Sequence, residues 1–158
     1  MMRTCTLRDS LPHHASAAGG GTGEGWPTLL VVDEDPDMLR MLVCYFEKRG
    51  FHVAAAASVH EAKSYFARCK RWTMVISDYH LPDGNGRELC TWVRDQPGTP
   101  PPVLLMSGSA QAATLCAGVD YLAKPFPVQE LEHRLQRMLT TRPTDDRQGG
   151  STGIRDER

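Results

Sequence analysis

Short runs of apolar residues that each end in a polar side chain set the rhythm of this chain. Leu29-Leu30-Val31-Val32 runs into Asp33 and Glu34, and Met74-Val75-Ile76-Ser77 runs into Asp78. Val103-Leu104-Leu105-Met106 reaches Ser107, and Tyr121-Leu122-Ala123 reaches Lys124-Pro125. Between these runs the apolar spacing turns helical. Asp35 is placed to cap a helix whose first position suits Pro36, and Leu39, Leu42, Val43 and Phe46 follow on one face. Gly50 ends that segment. Phe51 to Ala55 reads as a weak second strand. Ser58 and Glu61 form a capping box for a second helix with an apolar stripe of Ala62, Tyr65 and Phe66. A third helix carries Leu89, Trp92 and Val93, and a Pro- and Gly-rich stretch from Pro97 to Pro102 separates it from the next strand. A short helical piece near Ala110 to Ala117 precedes the fifth strand. Val128, Leu131, Leu135 and Met138 mark a last helix.

The strongest strand runs are continuously apolar, not alternating, so the sheet is expected to be parallel and covered on both faces. Five strands alternating with helices predict a doubly wound α/β domain. Ligands in such sheets bind beyond the carboxyl ends of the strands. The polar ends of the runs therefore converge on one edge, which makes Asp33, Glu34, Asp78, Ser107 and Lys124 candidate site residues.

The domain is expected over residues 27–139, between a flexible leader (1–26) and a flexible tail (140–158). Gly19 to Gly25 superficially resembles a phosphate loop. It lacks the Lys-Ser/Thr ending and precedes the first strand, so it reads as a solvated linker. The polar tail is too short for a helix-turn-helix module.

Composition narrows the function classes. The 158 residues carry a formal net charge of -1, which provides no broad basic face, and no direct nucleic-acid binding is expected. No apolar run is long enough to span a bilayer, and the N-terminus lacks a signal-peptide core, so no membrane association is expected. The five cysteines, Cys5, Cys44, Cys69, Cys90 and Cys116, form no Cys-x-x-Cys pair. Their odd number and wide spacing argue against a disulfide framework and against a zinc site. A reducing, cytoplasmic setting is the simplest expectation.

Three carboxylates in one pocket repel one another, and a divalent cation resolves the conflict. Mg2+ prefers oxygen ligands and is commonly held by one or two carboxylates together with phosphate. Asp78 is then a candidate nucleophile toward a phosphoryl group, a known role for carboxylates that needs no general base at neutral pH. Lys124 would neutralise the remaining charge, and the Ser107 hydroxyl with an amide near Gly108 would bind other phosphoryl oxygens. Each residue also has a plainer reading: Asp33 and Asp35 as caps, Asp78 as turn chemistry before Pro-Asp-Gly, Ser107 as a turn hydroxyl, Lys124 as a surface lysine, Tyr121 as a packing residue. His13-His14 and His52 have no partner pattern, and Trp72 and Trp92 read as packing residues.

Val32-Asp33-Glu34, the segment from Ser77-Asp78 through Leu81-Pro82-Asp83-Gly84-Asn85-Gly86, Ser107-Gly108 and Lys124-Pro125-Phe126 together resemble the receiver domain of two-component response regulators. The likeness covers about residues 27–139. It implies a flavodoxin-like fold and a non-enzymatic phosphoacceptor at Asp78, which supports its own phosphorylation and dephosphorylation. The phosphoryl donor would be a histidine kinase, a phosphotransfer protein or a small phosphodonor, and the output would pass to an unknown protein target. Asp33, Glu34, Asp78 and the backbone carbonyl of His80 would hold Mg2+. Ser107 and Lys124 would contact the phosphoryl group, Lys124-Pro125 would be cis, and Ser107 with Tyr121 would form the switch. Either a stand-alone regulator, with an initiating Met and no output domain, or a receiver cut from a larger regulator or hybrid kinase fits.

The chain departs from the family pattern in three places. Glu34 replaces a commoner Asp, adding one methylene of reach. Sixteen residues separate Ser107 from Lys124, fewer than usual, so the fourth helix region is expected to be shortened and output through the usual face is in question. Pro127 stands where a capping Ser or Thr is common. The alternatives are a degenerate receiver acting as a phosphorylation-independent scaffold and a haloacid-dehalogenase-like phosphatase built on Asp33 and Asp35. The latter lacks a later acidic cluster and leaves Asp78 idle.

Overall fold

The computed structural model describes residues 26–69, 71–109 and 119–140. Its elements run β1 (Thr28–Val32), α1 (Pro36–Glu47), β2 (His52–Ala56), α2 (Val59–Arg68) and β3 (Met74–Asp78). There follow β4 (His80–Leu81), β5 (Gly84–Asn85), α3 (Gly86–Arg94), β6 (Val103–Ser107), β7 (Asp120–Ala123) and α4 (Val128–Thr140). Five strands pair in the order β2-β1-β3-β6-β7, and every pairing is parallel. With the small β4–β5 hairpin set aside, this is the flavodoxin-like order, whose ligand crevice opens beside the first strand.

The continuous apolar runs bury both sides of the sheet. Leu30, Val32, Val75, Val103 and Leu105 share a cluster with Val59 and Ala62 of α2 and Leu89, Cys90 and Val93 of α3. The alternate residues Leu29, Val31, Met74, Ile76, Leu104 and Met106 are as deeply buried. In a strand they point to the opposite face, the side on which α1 packs its stripe of Leu39, Leu42, Val43 and Phe46 against β1 and β2.

Local chemistry sets the helix starts. Asp35 caps α1 by accepting the Asp37 amide at 2.9 Å, with Pro36 in the first position. Ser58 Oγ accepts the Glu61 amide at 3.1 Å, while Glu61 reaches back to the Ala57 amide at 2.7 Å. The stripe expected on α2 is narrower than its periodicity suggests: Val59 and Ala62 are buried, but Tyr65 and Phe66 only partly. Phe66 instead stacks on Trp72 and meets Trp92 edge-on, while the Trp72 indole N–H donates to the Phe66 carbonyl at 3.2 Å.

The second strand lies one residue later than expected, at His52–Ala56. The β4–β5 hairpin, closed through Pro82 and Asp83, adds a second, two-stranded sheet that period-based reading passed over. The helix expected at 110–117 lies outside the described residues, as do nearly all of the leader and the tail from 141 onward. Thr140, placed in the tail by the sequence, closes α4.

The chain divides into two compact units after Phe126. The first holds the sheet and α1–α3. The second holds α4, whose buried residues are Leu131 and Leu135. Among the described residues no helix is long and apolar enough to cross a membrane.

Candidate functional site

The parallel register brings the strand ends level. Val32 pairs with Ser77, Asp78 with Met106, and Ser107 with Ala123. Each ladder then extends one hydrogen bond past its strand: Asp33 N to Ala56 O, Tyr79 N to Met106 O, Lys124 N to Ser107 O, at 2.8–3.1 Å. These bonds fix the backbone of the residues beside the crevice.

Two of the converging carboxylates are buried: Asp33 is fully enclosed and Asp78 is 7% exposed. One cation serves both. Lys124 Nζ lies 2.7 Å from Asp33 Oδ2 and 2.9 Å from Asp78 Oδ2. Burial is the largest single influence on this lysine and pulls its pKa down. The hydrogen bonds to Asp33 and Asp78, with their charges, outweigh it, so the pKa stands above the ordinary 10.5. Lys124 is therefore an ammonium at neutral pH, and two carboxylates against one ammonium leave a net negative charge. That charge sits where water is scarce, which favours a further cation.

The remaining acceptor sites are oxygens of modest occupancy. Asp33 Oδ1 accepts the Asp35 amide at 2.9 Å, and Asp78 Oδ1 accepts the His80 amide at a long 3.3 Å. Gly86 N donates to Tyr79 O at 2.8 Å. In an antiparallel ladder the next pair, His80 with Asn85, is then the non-hydrogen-bonded one, which leaves the His80 carbonyl outside the hairpin's own ladder. A set of carboxylate and carbonyl oxygens fits Mg2+ and suits no softer ion.

Glu34, next to the enclosed Asp33, is exposed, and among the described residues no group of three His, Cys, Asp or Glu side chains is arranged to hold a metal. The lysine ammonium already occupies the space between the two buried carboxylates.

Ser107 is fully buried at the end of β6, and its Oγ accepts the Ser109 amide at 3.1 Å. Tyr121 is half-buried, and its hydroxyl lies 3.0 Å from the Ser107 carbonyl and 2.7 Å from that of Ser109. The phenol thus latches the loop that carries Ser107. Gly108 is exposed, and no described residue other than its chain neighbours lies within 4 Å of where its β-carbon would be. The Lys124–Pro125 bond is cis, as expected. Asp35 caps α1 with one carboxylate oxygen, as its place in the sequence suggests.

Sequence reasoning missed three residues next to the site. Gly86 begins α3 so close to β3 that a β-carbon there would fall 2.4 Å from the Asp78 carbonyl and 2.8 Å from a Leu105 methyl. Asn85 caps α3 by accepting the Glu88 amide at 2.9 Å, a start that the spacing Asn-x-x-Glu could have signalled. Asp83 caps a different helix: its carboxylate accepts the Val59 amide at 2.7 Å and the His60 amide at 2.8 Å. The His60 amide foremost, with that of Val59, holds the Asp83 carboxyl below its ordinary pKa. No local pattern announces a cap 24 residues away in sequence.

The family model for the response regulator receiver domain matches residues 29–136. Among curated proteins, the transcriptional regulatory protein GltR of Pseudomonas aeruginosa is 30% identical over 119 residues, which span 71% of this chain and 48% of GltR. The photosynthetic apparatus regulatory protein RegA of Cereibacter sphaeroides is 34% identical over 114 residues, 68% of this chain and 60% of RegA. The chain thus spans about half the length of such relatives. Among solved structures, a putative response regulator from Chloroflexus aurantiacus is 37% identical, with a TM-score of 0.66 over 73% of this chain and 99% of that one.

Proposed function

This chain belongs to the response regulator receiver domain family, and from that premise we propose that Asp78 is the phosphoacceptor through which it works. The observation that carries the reading is the single ammonium of Lys124 bridging two buried carboxylates from neighbouring strands. An ordinary salt bridge needs one carboxylate. A second one, enclosed beside it, fits a site made to receive more positive charge and then a phosphoryl group.

Asp33, Glu34 and Asp78, with the His80 carbonyl, would hold Mg2+, which when bound supplies positive charge toward phosphoryl oxygens. A carboxylate oxygen of Asp78 bonds to phosphorus as the bond from phosphorus to a donor's imidazole nitrogen breaks, and the imidazole leaves with that electron pair. Lys124 stays protonated and offsets the charge brought into the site. The Ser107 hydroxyl, once it turns from the Ser109 amide, donates to a phosphoryl oxygen. That shift strains the Tyr121 latch on the same loop, which makes Ser107 and Tyr121 the switch that carries a charge event to the surface. Water attacking the same phosphorus later restores the free carboxylate, so the domain supports its own dephosphorylation.

On this reading the receiver spans residues 27–139 and acts in the cytoplasm. A histidine kinase or phosphotransfer protein charges it, and the phosphorylated surface binds a protein target. The test is intact-protein mass after incubation with Mg2+ and acetyl phosphate or phosphoramidate. One phosphoryl adduct on the parent and none on Asp78→Asn is expected. An adduct of equal yield on the variant would sink the assignment.

A further inference from the structure

The loop that leaves Asp78 starts two helices. Asn85 caps α3, which follows it directly, and Asp83 caps α2, which precedes it by 24 residues. The first turn of α2 is fully satisfied as a result. Asp83 takes the Val59 and His60 amides, Ser58 Oγ takes the Glu61 amide, and the Ser58 carbonyl takes the Ala62 amide. An ionised carboxylate shared by two amides at a helix start is a strong contact, favoured by charge and by the helix dipole.

The hairpin needs such a hold. β4 and β5 are two residues each, and a two-stranded hairpin is marginal by itself. Its apolar anchor is Leu81, buried in the same cluster as Val59. At the turn, close packing joins the polar tether: a β-carbon on Gly84 would lie 3.2 Å from a Val59 methyl. The strand between anchor and acceptor carries His80, whose amide donates to Asp78 Oδ1.

We infer that Asp83 is a positioning residue for the cation site, clamping the β4–β5 hairpin to the first turn of α2 and so holding His80 beside Asp78. This rests on the reading of Asp78 and the His80 carbonyl as Mg2+ ligands. Asp83 touches neither cation nor phosphoryl group. It sets how firmly the backbone donor is preorganised, and its loss should appear as weaker Mg2+ binding beyond any loss of stability.

The experiment is calorimetric titration of the full chain with MgCl2, with melting temperatures measured in parallel. Asp83→Ala should raise the Mg2+ dissociation constant about three- to tenfold, less than is usual for groups bonded directly to a metal ligand. Asp83→Asn, which keeps one carbonyl oxygen, should fall between, and it carries the comparison if Asp83→Ala does not fold. Ser58→Ala removes a cap from the same helix without touching the hairpin. It should lower the melting temperature and leave the dissociation constant within about twofold of the parent. Unchanged Mg2+ affinity in both Asp83 variants would overturn the inference, as would an equal weakening in Ser58→Ala. Failure of the unsubstituted chain to bind Mg2+ would instead overturn the cation site, and the clamp with it.

Discussion

Asp78 ends β3, Asp83 lies five residues on in the turn of the β4–β5 hairpin, and the two face opposite circumstances. Asp78 is buried and shares one lysine with a second carboxylate, and among the described residues its other oxygen has a long contact to an amide. Asp83 is exposed, and each of its oxygens takes a short amide bond. The proposed function assigns chemistry to the first, whose charge is enclosed and incompletely answered. Structure belongs to the second because backbone donors saturate it. A carboxylate becomes reactive toward phosphorus where fixed protein donors stop short of satisfying it.

The comparison breaks most cleanly at Asp78. Asp78→Asn should abolish the phosphoryl adduct while circular dichroism reports a folded domain, since shape is kept and one buried negative charge is removed. Gly86→Ala comes next. Its methyl must displace the backbone at Asp78 itself, at an expected cost of about 3 kcal/mol in denaturant unfolding. A loss below about 0.5 kcal/mol there would mean that α3 is free to move away from β3.

Lys124→Ala leaves Asp33 and Asp78 facing each other. The expected destabilisation is about 2 kcal/mol, under the ~3–5 of a fully buried pair because the lysine side chain keeps 22% exposure. Added Mg2+ should recover more melting temperature in this variant than it adds to the parent. Equal gains would argue that the cation does not replace the ammonium's role.

Lys124, the partner of Asp78, and Asp83 also separate on the pH axis. Folding raises the Lys124 pKa above 10.5, so its contribution is complete below that pH and is lost as pH rises through the folded value. Folding lowers the Asp83 pKa below 3.8, so its contribution is complete above that pH and is lost as pH falls through the folded value. The gap in melting temperature between parent and Lys124→Ala should therefore close as pH rises into alkali, and that between parent and Asp83→Ala as pH falls into acid. The smallest effect is expected at Tyr121→Phe, about 1 kcal/mol for the lost hydroxyl contacts, read by thermal unfolding.

Much of the fold was legible in the chain because burial on two faces leaves a plain trace. Continuous runs such as Leu29 to Val32 and Val103 to Met106 mark central parallel strands, and they appear where expected. Asp35, Pro36, Ser58 and Glu61 announce helix starts because caps act within a few residues. Tyr65 and Phe66 misled, since helical spacing says which residues share a face and not how deep that face lies.

The site divides along the same line. That Asp33, Asp78, Ser107 and Lys124 would gather at one edge followed from the sequence alone, because parallel strands of similar length end together. Tertiary structure alone decided that one ammonium would bridge two carboxylates, that Glu34 would remain at the surface, and that Tyr121 would latch the Ser107 loop. It also decided that Asp83, an ordinary turn residue by its neighbours Pro82 and Gly84, would cap a helix lying earlier in the chain. The physical reason is range. Propensity, periodicity and caps act over a few residues along the chain, whereas a charge answers to whatever donors the folded backbone brings within about 3 Å of it.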